Sequence, residues 1–127
     1  MRIFKTKGVV RFARQEQVSD ASLKAAIDRA ECGSIDAYLG GGLIKQRIAR
    51  GGRGRSSGFR MIVAYLAKDR AVFLYGLAKN ERGNISDDEL LTLRTIGKIW
   101  LAAPADKVSL ALRDGDLQEI DNDESNF

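Results

Sequence analysis

Two apolar runs, residues 59–67 and 71–78, constrain the fold more than any other feature of this 127-residue chain. Both are rich in β-branched and aromatic residues, and the Lys68-Asp69-Arg70 segment between them has the polarity of a hairpin turn. Near-continuous hydrophobicity marks strands at the centre of a sheet, covered rather than solvated. The sequence therefore predicts an antiparallel hairpin at the middle of the molecule.

The neighbouring segments fit around that hairpin. Residues 43–50 alternate, with Ile44 and Ile48 on one face and Lys45 and Arg47 on the other, as in a strand with one solvated face. Residues 2–5 form a short opening strand, and a first helix follows with Val9, Val10, Phe12 and Ala13 on its apolar side. Ser19 is placed to cap a second helix, in which Leu23, Ala26, Ile27 and Ala30 make one buried stripe and Gly33 ends it. Ser86-Asp87-Asp88-Glu89 reads as a capping box opening a third helix, with Leu90, Leu93, Gly97, Trp100 and Leu101 on one face and Pro104 at its end. A short helix over residues 105–113, closed by Gly115, and an edge strand over residues 117–120 complete one domain of residues 1–120. Residues 121–127 are expected to be an acidic, disordered tail.

Charge narrows the function. The net charge is +4, but residues 114–127 hold six acids and no base, so residues 1–113 carry +10. A body that basic calls for an anionic partner. The chain has no histidine, so acid–base chemistry falls to Lys, Tyr, Arg or carboxylates, and metal sites built on histidine are excluded. Cys32 is the single cysteine. It precludes an internal disulfide, is read as a buried inert thiol, and fits a reducing cytoplasm. No apolar run is long enough to span a bilayer, and charge interrupts the N-terminus too early for a secretory signal.

The bases are concentrated. Between Asp36 and Asp69 there are seven (Lys45, Arg47, Arg50, Arg53, Arg55, Arg60 and Lys68) and no acid. Such a run is either a solvated face or a phosphate-binding surface. The excess of arginine over lysine favours phosphate, because the planar guanidinium fork matches phosphate oxygens. Seven of the thirteen glycines lie between Gly40 and Gly58, where they allow backbone N–H groups to approach an anion. The loop at residues 51–58 is no P-loop, since the Gly-Lys-Ser/Thr ending is missing and a strand follows. Arg60 opens an apolar strand, where a charge needs a task or a partner. Lys79 closes the next strand, Tyr75 shares its face by the two-residue period, and Lys45 and Arg47 can join them from the preceding strand. Tyr75 is equally readable as a core tyrosine.

Taken together, residues 41–50, residues 54–60 (Gly-Arg-Ser-Ser-Gly-Phe-Arg) and residues 73–82 resemble the HigB-like branch of the RelE/ParE toxin superfamily, over roughly residues 1–120. The resemblance implies an α+β fold: two N-terminal helices packed on a curved antiparallel sheet of about four to five strands, with a further C-terminal helix. It implies a cytoplasmic toxin of a type II toxin–antitoxin pair, neutralised by a HigA-like antitoxin with a helix-turn-helix domain. It also implies metal-independent cleavage of mRNA, in association with the ribosome and without a cofactor, by attack of the 2′-OH on the neighbouring phosphate. On that basis Lys45 is the candidate base, Arg60 and Lys79 are phosphate clamps, and Tyr75 is a further catalytic candidate. Arg47, Arg50, Arg53, Arg55 and Arg82 are the candidate RNA-binding residues. Two other functions fit the same sequence: a gyrase-inhibiting toxin of the ParE type without ribonuclease activity, and a non-catalytic RNA-binding module.

Overall fold

The computed structural model describes residues 1–48, 58–78 and 85–121. In chain order the elements are β1 (Arg2–Thr6), α1 (Lys7–Glu16), α2 (Asp20–Glu31), β2 (Ala37–Gly40), β3 (Leu43–Ile48), β4 (Phe59–Leu66), β5 (Arg70–Ala78), α3 (Asp87–Ala102), α4 (Ala105–Asp114) and β6 (Leu117–Ile120). The strands form one sheet in the order β2-β3-β4-β5-β1-β6. The expected hairpin is β4–β5, at the middle of that order, and most of its residues are buried, on both faces, because helices cover both.

Alternation along the strands divides the core in two. Ile44, Ile48, Phe59, Met61, Val63 and Phe73 pack under α1 and α2, against Val9, Leu23, Ala26 and Ile27. Leu43, Ile62, Ala64, Val72 and Leu74 face the other way, towards α3 and α4. The N-cap at Ser19 and the capping box at Ser86 and Glu89 both form as the sequence predicts. Gly97 lies against Leu43, Ala64 and Leu74, so α3 packs onto the strands where a larger residue would hold it away.

Three expectations are corrected. The sheet has six strands and is mixed rather than antiparallel, because β1 inserts between β5 and β6 and pairs in parallel with β5. The resemblance implies one C-terminal helix, but there are two, α3 and α4, as the capping box and the 105–113 segment predict, both on the face opposite α1 and α2. Cys32 is exposed rather than buried. It lies two residues beyond Ala30, about 200° around the helix from the buried stripe.

One irregularity sets which side chains face α3. In the β4–β5 ladder Val63 is opposite Phe73 while Ile62 is opposite Tyr75, so Leu74 is an extra residue and the strand bulges. Leu74 and Tyr75 both pack on the α3 side. Beyond the bulge the parity of β5 is reversed, so Tyr75 and Leu77 share a face with Ile62 and Arg60.

Candidate functional site

The strand ends and the first turn of α3 enclose a cleft of about 280 Å³. Its cationic groups are Lys45 of β3 and Arg60 of β4, its apolar walls come from Leu39, Ile62, Leu77, Ile85 and Leu90, and Asp87 stands at its rim. The rim is fixed by the α3 capping box, in which Ser86 Oγ accepts from the Glu89 N–H and Glu89 Oε1 accepts from the Ser86 N–H. Farther along α3, Arg94 Nε donates to the Leu39 carbonyl at 3.0 Å, and Arg70 Nη1 donates to the Trp100 and Ala103 carbonyls at 2.7 and 2.8 Å. Gly40, Gly41 and Gly42 make the β2–β3 turn with positive φ and let the Arg94 side chain lie across it. These three glycines serve packing and turn geometry.

The register aligns the cations. Arg47 is directly opposite Arg60 in the β3–β4 pair, and Lys45 is opposite Ile62. Like charges facing each other across a strand pair are destabilising. None of Lys45, Arg47 and Arg60 forms an ion pair among the described residues. Arg60 Nη1 is buried and, among the described residues, has no hydrogen-bond partner. A buried guanidinium nitrogen left without an acceptor is costly to the folded state, and an anionic ligand oxygen would satisfy it.

The backbone beneath these cations is held from the opposite face. Gln46 is fully buried, and its Nε2 donates to the Ala26 and Ser34 carbonyls while its Oε1 accepts from the Asp36 N–H. Asp36 Oδ2 accepts from the Arg47 N–H, and the Arg47 carbonyl accepts from Arg29 Nη2. The end of β3 is thereby tied to α2. Replacing Gln46 with leucine leaves these buried backbone groups unsatisfied. A loss of about 2–3 kcal/mol in stability is expected, measured by denaturant unfolding.

The predicted residues are thus only partly gathered. Lys45 and Arg60 line one cleft, and Arg47 adjoins Arg60 but is exposed outside it. Tyr75 is half-buried on the same face, two strands from Lys45 with Ile62 between, and lines an adjoining cleft of about 300 Å³ with Ile85 and Leu93. Lys79, Arg50, Arg53, Arg55 and Arg82 lie outside the described residues. Sequence reasoning missed Asp87 as a cleft residue. Its capping-box position was the available signal, but a helix-start acid is already explained by the helix dipole.

A family model described as the RelE toxin of the RelE/RelB toxin–antitoxin system matches residues 1–120. The chain belongs to this family. The match runs from the opening strand to the end of β6, so every element described above falls within it. No curated protein matches the chain. Among the described residues no helix is long and apolar enough to cross a membrane.

Proposed function

We propose that this RelE-family chain, of the HigB-like branch, is the mRNA-cleaving toxin of a type II toxin–antitoxin pair and that the Lys45–Arg60 cleft is its active site. The observation that carries the reading is Arg60 Nη1, buried without a partner among the described residues in a cleft shared with Lys45. In this mechanism Lys45 Nζ takes the proton of the RNA 2′-OH, O2′ attacks the adjacent phosphorus, and the P–O5′ bond breaks to leave a 2′,3′-cyclic phosphate. Arg60 holds the non-bridging oxygens as charge builds on them, Arg47 extends the cationic surface along the backbone, and Tyr75 is the candidate proton donor to the departing O5′. No metal or cofactor takes part. The basic body, +10 over residues 1–113, suits mRNA and ribosomal surfaces, and the partner that silences the toxin is a neighbouring helix-turn-helix antitoxin in the cytoplasm.

Induction of the gene followed by primer extension on total RNA tests the proposal. Discrete, translation-dependent breaks in mRNA are the expected result. Intact mRNA together with double-strand DNA breaks would transfer the assignment to gyrase inhibition.

A further inference from the structure

A second cationic surface lies away from the cleft. The inward side of α1 is set by Val9 and Ala13, which are buried, with Phe12 packed beside them. Lys7, Arg11 and Arg14, at i, i+4 and i+7, form one row on an adjoining face, all three exposed. They wall a groove of about 490 Å³ whose other side is made by Leu112, Gly115 and Leu117. The first turn of α1 contains no acid, so Lys7 stands at the helix end where the dipole disfavours a cation.

Three acids stand at this corner, Asp114, Asp116 and Glu119, of which Glu119 lines the groove, and all three are engaged, Asp114 with Arg113 at 4.0 Å. Glu119 receives two hydrogen bonds from Arg2, each at 2.9 Å, and Asp116 pairs with Lys7 at 3.3 Å. Arg11 and Arg14 form no ion pair among the described residues. From Lys7 to Arg14 the helix rises about 10 Å, enough to meet more than one phosphate of a nucleic-acid strand. The exposed large apolar side chains among the described residues are Tyr38, Leu66, Leu91, Ile96, Ile99 and Leu110, and none lines the groove. Its apolar lining is confined to Val10, Leu112 and Leu117, with no aromatic side chain of the kind that anchors a docked protein segment. β6 is four strands from β3 in the sheet, roughly 19 Å across, so the groove is separate from the Lys45–Arg60 cleft.

We infer that the groove between α1 and the α4–β6 corner is a second binding site for the phosphodiester backbone of RNA, with Arg11 and Arg14 as its phosphate contacts. The site stands on its own residues and does not require the cleft to be catalytic.

The test measures binding of a fluorescein-labelled 2′-O-methyl oligouridylate, which has no free 2′-OH to attack, to the full-length chain by anisotropy over a range of salt. Arg11→Gln/Arg14→Gln is expected to weaken binding on the order of tenfold and to make the log-affinity against log-salt slope shallower by about 1.4, at about 0.7 per single-strand contact. Lys98→Gln/Lys107→Gln, which removes the same charge from exposed positions on α3 and α4 outside the groove, is the control and is expected to change both quantities much less. The groove effect should persist in an Arg60→Ala background, since the two sites share no partner. Melting curves establish that each variant is folded, and Arg11→Lys/Arg14→Lys, which keeps the charge, is expected to recover most of the salt slope. Equal losses in the groove and control variants would reduce the effect to overall charge and overturn the site. Tighter binding of an oligoglutamate peptide than of the RNA, abolished by the same two substitutions, would overturn it in favour of an acidic protein partner. A catalytically silent cleft leaves these measurements unchanged, so the two readings fail separately.

Discussion

Arg60→Ala is expected to lower RNA cleavage by about a hundredfold to a thousandfold, with a much smaller change in RNA affinity. The difference follows from when the guanidinium is needed. Negative charge on the non-bridging oxygens grows towards the transition state, so a donor fixed beside them contributes most there. The same substitution is expected to leave stability unchanged or to raise it, measured by urea unfolding. It removes a buried nitrogen that has no partner among the described residues, and the repulsion between Arg47 and Arg60. Loss of activity with no loss of stability is the signature of a residue kept for function. Arg60→Lys keeps the charge but loses the fork and is expected to be intermediate. A folded Arg60→Ala protein that cleaved RNA at the parental rate would exclude this active site.

Lys45→Ala is expected to reduce cleavage by about a hundredfold or more, the usual contribution of a positioned proton acceptor. Lys45→Arg separates the two roles open to this side chain. Arginine preserves the positive charge and can reach a phosphate, but it does not give up its proton. If Lys45 takes the 2′-OH proton, the arginine variant is as inactive as the alanine variant while binding RNA normally. If Lys45 only holds the phosphate, the arginine variant retains most of its activity. Single-turnover cleavage alongside a binding isotherm decides between them, and retained activity in Lys45→Arg would remove the base assignment.

Much of the framework was readable in advance because its signals are local. Continuous apolar character gave β4 and β5, alternation gave β3, and Ser19 and the Ser86–Glu89 box marked the helix starts at which they occur. Strand β2 was not anticipated. It has four residues, two of them exposed, and ends in the glycine turn, so no hydrophobic period had room to develop. The parallel β1–β5 pairing joins segments almost seventy residues apart and leaves no trace in the composition of either. The site followed the same division. Lys45, Arg47 and Arg60 were identifiable because each stands out from its own strand, and their common face followed from the strand period. The bulge at Leu74 and the arrival of Asp87 at the cleft depend on strand registration and helix docking, which only tertiary packing fixes.

The position of β1 also orders events during synthesis. The β2–β3, β3–β4 and β4–β5 pairings join consecutive segments and can form as the chain emerges from the ribosome. Strand β1 leaves the exit tunnel before the other described strands, yet one of its partners is β5, and the other edge stays open until residues 117–120 are made. A nascent chain stopped at Asp114 would carry every described residue of the Lys45–Arg60 cleft but present an uncovered Ile3-Phe4 edge, the kind of surface that recruits other strands and aggregates. Closure by the last strand thus acts as a completeness check, biasing prematurely terminated copies of this chain towards aggregation.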